Sequence, residues 1–304
     1  MGLKEQYIKI HNVKNSYEKE NSKVGYTTFL NHSGWTDYVI DDNVIYSHRT
    51  NEYTKKTFTE GLHVHEFYEL IVYVSGNVEY ITDNHIVKPE PYSVIWFHPG
   101  QMHTATLLSD SKYERYVFYF SKEFFEFNNV EIPMTDFMNT QNSNAFNPSR
   151  SCMEEIKSII EKIDSVLLCD YSYSGLLVKA LIVELFGAFN KTDIDIAGHS
   201  EPSGIMMQIK NFIDTEYARI STSADIASEF HYSREHISRR FKDTFNISIS
   251  DYISKRRVLE SLPMLRQMLI SEVSYAVGFN SQSAYISAFV KNMGCKPSEY
   301  KKNK

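Results

Sequence analysis

The last hundred residues contain two successive patterns that each predict a helix-turn-helix. The first pattern runs from residue 223 to 242 and the second from residue 273 to 289. A small residue lies where the two helices of each unit would cross, and these residues, Ala227 and Ser274, are 47 positions apart. Chance produces such a repeat far less readily than a single copy. The repeat therefore predicts a helical domain that can present two helices to duplex DNA without a partner chain.

Each pattern also supplies the turn and the helix cap that this unit requires. Gly278 permits positive φ at the second turn, and His231 takes that place in the first. Ser233 and Ser281 are suitable N-caps for the helices that follow. An ordinary helical hairpin with a solvated charged face is the alternative interpretation. The side chains that we expect to face a major groove are Arg234, Glu235, Ser238, Arg239, Gln282, Ser283 and Ser287.

A long ordered series of residues in this region carries a resemblance to a known family. Its members are Ile226-Ala227, Ser233, His236-Ile237-Ser238-Arg239, Phe241-Lys242, Tyr252-Ile253, Arg257, Val277-Gly278-Phe279, Phe289, Gly294 and Lys296-Pro297-Ser298-Glu299-Tyr300. In these residues the chain from about 205 to 300 resembles the DNA-binding domain of the AraC/XylS family of bacterial regulators. The resemblance implies seven helices in two subdomains joined by a long helix, with two recognition helices in successive major grooves.

The chain departs from the family pattern in ways that affect DNA contact. Ala288 and Val290 stand where the family often has basic residues, so the second helix-turn-helix has little positive charge with which to bind DNA phosphates. Ser274 replaces the usual alanine. Pro263 falls inside the expected connecting helix, where a proline removes a hydrogen bond and costs about 3 kcal/mol unless the helix kinks. The angle between the two units stays open at this stage.

The distribution of charge favours nucleic acid binding by one end of the chain. The 304 residues carry a net charge of −6, but residues 205–304 hold 15 Lys and Arg against 10 Asp and Glu. The remaining residues hold 17 against 28. No apolar run approaches the ~20 residues of a membrane span, the N-terminus opens no signal peptide, and the three cysteines are scattered. These features predict a cytoplasmic protein without a membrane partner.

The hydrophobic pattern predicts an α+β fold in which the type of element changes along the chain. Short alternating runs between about 24 and 120 predict an antiparallel β-barrel or sandwich. From about 150 the apolar residues recur at helical spacing and predict two helices. We therefore predict a cupin-like, effector-sensing β-barrel at 1–120, a helical dimerisation segment at 121–190, a linker at 191–204 and the tandem helix-turn-helix domain at 205–304.

The predicted sheet region holds a second group of residues that can carry chemistry. His63, His65, Glu69 and His103 look like the two motifs of a cupin barrel, covering residues 55–110. In metal-dependent cupins the matching positions are ligands, and three imidazoles with a carboxylate suit Mn, Fe, Ni or Zn. We prefer the interpretation that these residues and Trp96 line an effector pocket without a metal. The aromatic residues nearby suit stacking on a sugar-like ligand, and equally an ordinary barrel core.

These features together predict a ligand-responsive transcription regulator, expected to be an activator that contacts RNA polymerase and to have no enzymatic role. The segment from 176 to 189 offers more apolar surface than one buried stripe uses, which predicts a homodimer. A metal-dependent cupin enzyme that carries a DNA-binding module is the alternative from another class. A third possibility is a ligand-independent regulator whose sheet domain only dimerises.

Overall fold

The computed structural model has an α+β fold, as the sequence predicts. Its chain forms two compact units. The first unit comprises Met1–Phe58, His65–Gln101 and Leu107–Ser200, and the second comprises Thr59–Val64, Met102–Thr106 and Glu201–Lys304. The residues that the structure describes are 2–10, 18–21, 26–30, 35–54, 58, 62–82, 86–127, 145–169, 172–189, 195–196, 199–200 and 204–302.

Antiparallel strands form two sheets in the described residues. The strands are β1 (Glu18–Asn21), β2 (Tyr26–Leu30), β3 (Thr36–Asp41), β4 (Val44–Tyr53), β5 (Tyr68–Ser75), β6 (Val78–Thr82), β7 (Ile86–Val87), β8 (Val94–Phe97), β9 (His103–Leu107), β10 (Ser111–Phe120), β11 (Ala145–Asn147), β12 (Asp195–Ile196) and β13 (His199–Ser200). The larger sheet has the order β1-β2-β3-β4-β10-β5-β8-β11-β12, and the smaller has the order β13-β7-β6-β9. The strands β2 to β10 lie within the region from about 24 to 120 where the alternating runs predict them.

The first unit also contains four helices in its described part. They are α1 (Leu3–Ile10), α2 (Lys122–Phe127), α3 (Arg150–Leu168) and α4 (Ser174–Phe189). The hydroxyl of Ser149 caps α3 by accepting a hydrogen bond from the backbone N–H of Cys152. Residues that recur every three or four positions on α3, such as Ile156, Ile160 and Ile163, are buried in one core with residues of α4 and the larger sheet. The helical spacing from about 150 therefore predicts both helices correctly.

Alternation along β10 separates the two faces of the larger sheet. Phe118 and Phe120 belong to the core that contains α3 and α4, whereas Arg115, Val117 and Tyr119 point to the opposite face. Arg115 and Arg49 are direct cross-strand partners, and Tyr119 is opposite Glu69 on β5. The face away from α3 and α4 is therefore the one that carries the buried residues Arg49, Glu69 and Arg115.

Part of the predicted linker is paired in strands. Residues 195–196 pair with β11, and residues 199–200 pair with β7. The other residues between 191 and 203 lie outside the described part of the chain. The last segment of the first unit ends at Ser200.

Seven helices fill the described part of the second unit, the number that the family resemblance implies. They are α5 (Ile205–Glu216), α6 (Ser223–Glu229), α7 (Arg234–Phe245), α8 (Ile249–Met264), α9 (Ile270–Ala276), α10 (Gln282–Met293) and α11 (Pro297–Lys302). Pro263 is the next-to-last residue of α8. The hydrogen bond that this proline removes therefore belongs to the last turn, where little helix remains to be kinked.

The two helix-turn-helix units share their backbone conformation as well as their sequence pattern. The turn residue has positive φ in both, 57° at His231 and 92° at Gly278. Ser233 and Ser281 each accept a backbone N–H at 3.2 Å and cap the recognition helices. Those helices, α7 and α10, end in left-handed residues, Asn246 and Gly294. The predicted repeat is therefore a structural repeat from turn to C-cap.

Candidate nucleic-acid interface and buried polar cluster

The buried and exposed faces of α7 separate its core residues from its candidate DNA contacts. Ile237, Phe241 and Phe245 are buried. Arg234, Glu235 and Arg239, predicted as contacts, are exposed, as are Arg240 and Lys242, and Ser238 is half-buried. The charged side chains thus lie on the outward face of a helix whose apolar face holds it against the domain.

Contacts at the start of α7 fix its position on α6. The side chain of Arg234 donates from Nε to the hydroxyl of Ser223, at 2.9 Å. Thr222 and Asp225 form a capping box at the start of α6, which satisfies backbone N–H groups that the helix leaves unpaired. Arg234 therefore joins the two helices of the first helix-turn-helix. This contact limits how far the Arg234 side chain can extend towards DNA.

The outward face of α10 differs from that of α7 because it is uncharged. Tyr285 and Phe289 are buried, whereas the predicted contacts Gln282, Ser283 and Ser287 are exposed. Ala284 and Val290 are exposed beside them. The sequence from 282 to 290 contains no charged residue.

Lys291 follows that face but is bound to a carboxylate of α8. Its Nζ lies 2.6 Å from Oδ1 of Asp251. Hydrogen bonds from Lys291 and Ser248 hold the pKa of Asp251 below its ordinary value. The charge of Lys291 is therefore already paired, and this contact ties α10 to the connecting helix.

The turn of the second helix-turn-helix is in close contact with the chain that follows α5. A Cβ on Gly278 would lie 2.4 Å from the carbonyl oxygen of Ala218. Arg257 of α8 donates from Nε to the carbonyl of Tyr217, at 2.9 Å, and from Nη2 to that of Ile220, at 2.6 Å. The connecting helix and the glycine turn both hold the same segment, which sets where α10 is presented.

A lysine of α8 also contacts a short peptide that belongs to the second unit. Lys255 donates to the carbonyl of Leu62, and the N–H of Leu62 donates to the carbonyl of Phe245, at 3.5 Å. Burial lowers the pKa of Lys255 to about 8. Sequence reasoning does not find this contact, because a backbone carbonyl partner has no side-chain signature.

The four residues predicted from the cupin-like motifs are divided between the two units. His65 and Glu69 belong to the first unit, and His63 and His103 belong to the second. The backbones of His63 and His103 exchange two hydrogen bonds, at 2.9 and 3.0 Å. His65, Glu69 and His103 are buried. That all four side chains face one cavity, as the alternation of His63 and His65 suggests, stays a prediction.

The contacts of His65 fit a metal ligand. Its Nδ1 lies 2.8 Å from the carbonyl oxygen of Phe67, which can only accept, so Nδ1 carries a proton. Its Nε2 lies 3.0 Å from Oε2 of Glu69. That contact needs a second proton or a cation between the two atoms. A ring held through Nδ1–H by a backbone carbonyl is typical of imidazole ligands, and the donor set suits Mn, Fe, Ni or Zn.

A second buried polar group lies on the same face of the larger sheet. Arg49 donates from Nη2 to the hydroxyl of Tyr7 at 2.9 Å and lies 3.5 Å from Oδ1 of Asp37. Its guanidinium stands 5.0 Å from the ring centre of Trp35. The ring of Tyr119 lies 5.6 Å from that guanidinium and 6.3 Å from the ring of His65, so one tyrosine contacts both polar groups.

Two atoms of this second group lack hydrogen-bond partners among the residues that the structure describes. They are Oδ2 of Asp37, an acceptor, and Nε1 of Trp35, a donor. Asp37 is fully buried, and burial of a polar atom without a partner is costly. Sequence reasoning misses this group because its residues are scattered over α1, β3 and β4 without a recognisable spacing.

Trp96 does not belong with the other predicted pocket residues. It is the cross-strand partner of Leu70, whereas its neighbour Phe97 is the partner of Glu69. Its side chain therefore points to the helix-packed face, where it is buried with Phe186 of α4 in the main core. The prediction of Trp96 as a pocket residue is wrong, because in the strand register it is Phe97 that lies opposite Glu69, and Trp96 therefore points to the other face of the sheet.

Apolar side chains remain exposed on one stripe of α4 and at the turn before it. Leu176 is 63% exposed, Leu177 46% and Val183 39%, and Leu168 and Tyr173 are more exposed still. Helical spacing places Leu176 and Val183 on one side, since they are seven positions apart, and Leu177 lies about 100° further round the helix. The side of α4 that faces the core is fully covered, so this stripe is surplus apolar surface.

Among the described residues, no helix combines the length and the hydropathy that crossing a bilayer requires.

Two family models match the chain in the regions that contain these sites. One is described as an AraC-like ligand binding domain and matches residues 47–164. The other is described as a helix-turn-helix domain and matches residues 226–303. The two matches fall on the larger sheet with α3 and on the helices from α6 onwards.

Individual proteins are similar to this chain over one or both regions. The HTH-type regulator YdeC of Bacillus subtilis is 38% identical over 99 residues, which cover 32% of this chain and 34% of YdeC. That match spans only about a third of YdeC's own length. The HTH-type transcriptional activator RhaS of Mannheimia succiniciproducens is 20% identical over 78% of this chain and 87% of its own. The solved structure of ToxT from Vibrio cholerae is 18% identical, covers 84% of this chain and 97% of its own, and has a TM-score of 0.34.

Proposed function

We propose that this chain, which belongs to the AraC family of regulators with an N-terminal ligand-binding domain, controls transcription in response to a small molecule. The observation that carries the proposal is the structural repeat in the second unit. Two capped recognition helices, α7 and α10, each expose one face beside a positive-φ turn. This arrangement suits insertion into two major grooves by a single chain.

The DNA contacts that we propose are the exposed residues of these two faces. Arg239 and Glu235 of α7 have the chemistry to reach base edges, with Ser238 and Arg234 beside them. The contacts from α10 are Gln282, Ser283 and Ser287. We expect promoter DNA as the partner, RNA polymerase as a second contact, activation of transcription as the outcome, and a cytoplasmic location.

Selection from a pool of random DNA duplexes tests this function directly. The full-length protein should enrich a common sequence, and its affinity should fall steeply with salt because phosphate contacts release counterions. A protein that enriches no duplex at low salt is not a DNA-binding regulator.

We propose that the effector binds on the polar face that holds Arg49, Asp37 and His65. Asp37 Oδ2 is an acceptor and Trp35 Nε1 is a donor, and both border the Arg49 guanidinium. A hydroxyl group donates to one such atom while it accepts from the other, so a polyol or sugar suits this group. A thermal-shift screen of sugars tests the assignment. A stabilising sugar should lose its effect in the Asp37→Asn variant, and retention of that effect would exclude Asp37 from the site.

A divalent metal ion is a second candidate ligand for this domain. The bond from Nδ1 of His65 to the carbonyl of Phe67 and the 3.0 Å contact between its Nε2 and Glu69 favour it. Metal analysis after purification without chelators should find about one ion per chain if the group is a metal site, and His103→Gln should abolish it. A protein with no bound metal that gains no thermal stability from Mn, Fe, Ni or Zn would exclude this candidate.

The similar proteins YdeC and RhaS are named as regulators of transcription, and the rival hypothesis of a metal-dependent cupin enzyme gains no support from them. We therefore propose a protein with no enzymatic role. Turnover of a candidate substrate by the metal-loaded chain, lost in His103→Gln, would overturn that view.

A further inference from the structure

The exposed faces of the two recognition helices differ in charge, and this difference limits the base pairs that each can recognise. The face of α7 exposes Glu235, Arg239 and Arg240, whereas α10 carries no charge from 282 to 290. We propose that α10 recognises a half-site of A·T pairs and that α7 recognises a half-site that contains G·C. The proposal rests on the proposed function, because it requires that both helices enter duplex DNA.

The side chains on the α10 face match the edges of an A·T pair. Gln282 can make a bidentate contact with N6 and N7 of adenine, and the methyl group of Ala284 can pack on the 5-methyl of thymine. The hydroxyls of Ser283 and Ser287 can bond to either base. These four residues are all exposed in the first two turns of α10.

The same face lacks the groups that specify a G·C pair. Guanine is recognised through O6 and N7 by arginine or lysine, and cytosine through its N4 amino group by a carboxylate. Lys291 is the nearest charged residue after this face, and its ammonium group is paired with Asp251 at 2.6 Å. Of the contacts that α10 offers, those of Gln282 and Ala284 favour adenine and thymine, whereas the two serines do not discriminate between bases.

The α7 face has the complementary chemistry. Arg239 has the guanidinium that guanine requires, and Glu235 has a carboxylate that accepts from cytosine N4. The two residues are four positions apart, so they lie on the same side of the helix. Both are exposed, and neither is needed to hold α7 against α6, a task that Arg234 performs through Ser223.

Removal of single methyl groups from the DNA tests this assignment. An operator is first selected with the full-length protein. Two modified duplexes are then made, and in each of them deoxyuridine replaces the thymines of one half-site. Deoxyuridine keeps the base pairing but lacks the 5-methyl group. Replacement in the A·T half-site should weaken binding by about fivefold, near the lower end of what one base contact contributes to discrimination. Replacement in the half-site that contains G·C should have little effect.

Two protein variants connect this loss to α10. Ala284→Gly removes the methyl group on the protein side, so its affinity should no longer depend on thymine methylation in the A·T half-site. Ala276→Gly, at an exposed position of α9 in the same helix-turn-helix unit, is the matched control and should keep the full dependence. Arg239→Ala should relax specificity only in the half-site that contains G·C.

The outcomes separate this inference from the function on which it rests. A selected operator with required G·C pairs in both half-sites overturns the assignment of α10, as does deoxyuridine sensitivity that persists in Ala284→Gly. In both cases DNA binding itself stands. A protein that enriches no duplex overturns the proposed function and this inference with it.

Discussion

At the scale of single residues, the close contact at Gly278 gives the sharpest stability prediction. Its φ of 92° disfavours any side chain, and a Cβ would lie 2.4 Å from the carbonyl oxygen of Ala218. Gly278→Ala should therefore lower the free energy of unfolding of the second unit by about 2 kcal/mol or more. Denaturant unfolding followed by circular dichroism measures this loss.

Gly187→Ala provides the matched control for that measurement. Gly187 lies in α4, has no positive φ, and a Cβ there would have nothing within 4 Å. Alanine is favoured over glycine inside a helix, so this variant should be as stable as the wild type or slightly more stable. Equal stability of the two variants would contradict the strained conformation at Gly278.

Sequence reasoning at this scale succeeds where one residue type has a single structural meaning. The turn at Gly278 and the caps Ser233 and Ser281 could be predicted because local backbone chemistry requires them. Asp37 and Arg49 could not be predicted, because they meet only through the cross-strand register of β3 and β4. Trp96 was assigned to the wrong side of the sheet because a shift of one residue reverses the face.

At the scale of secondary-structure elements, His48 joins the larger sheet to α3. Its Nε2 lies 3.1 Å from Glu114 of β10, and its Nδ1 lies 3.3 Å from Asp164 of α3. Burial opposes protonation of this histidine, but the two carboxylates outweigh it and raise the pKa of His48 above its ordinary value. The protonated ring therefore bridges an acid on each element.

This bridge predicts that stability falls on the alkaline side of neutrality. A raised histidine pKa contributes stability that is fully present below the pKa of the unfolded chain and is lost as the pH rises through the folded value. Between about pH 6 and pH 9 the unfolding temperature of the first unit should fall, and it should fall less in His48→Gln. Differential scanning calorimetry measures the slope. An identical slope in the two proteins would show that His48 does not link the sheet to α3.

Element prediction worked best for long periodic segments and failed where an element is apolar on most sides. The apolar period of α3 identifies both the helix and its buried face. In α4 it identifies the helix alone, since Leu176, Leu181 and Leu185 are equally apolar but only Leu185 is fully buried. The neighbours that cover a helix decide its buried face, and a single apolar segment does not specify them. The two-residue strands β12 and β13 carry too little pattern to be predicted.

At the scale of the whole molecule, the exposed stripe on α4 supports the homodimer proposed from the sequence. A charged residue at Leu185 or Leu181 would not test the dimer cleanly, because it would also disturb the fold of the single chain. Leu185 is buried in the core of its own chain, and Leu181 is partly buried against that core. The double variant Leu176→Glu and Leu177→Glu should instead separate dimers while the fold is kept, because both side chains are exposed. Analytical ultracentrifugation measures the change.

A second double variant controls for added negative charge. Ser151→Glu with Ser158→Glu alters exposed positions of α3, adds the same two negative charges, and should leave the sedimentation of the protein unchanged. A wild-type protein that sediments as a monomer at tens of micromolar would rule out the dimer.

The central claim is that one chain places two recognition helices in duplex DNA, and hydroxyl-radical footprinting on a selected operator tests it most directly. Each chain should protect the backbone on both sides of two successive major grooves, over about 20 base pairs, because the account predicts that the two helix-turn-helix units contact sites one helical turn apart. Arg239→Ala should weaken protection more at one of these grooves than at the other. Protection confined to a single groove per chain, with α10 variants indistinguishable from the wild type, would contradict the account.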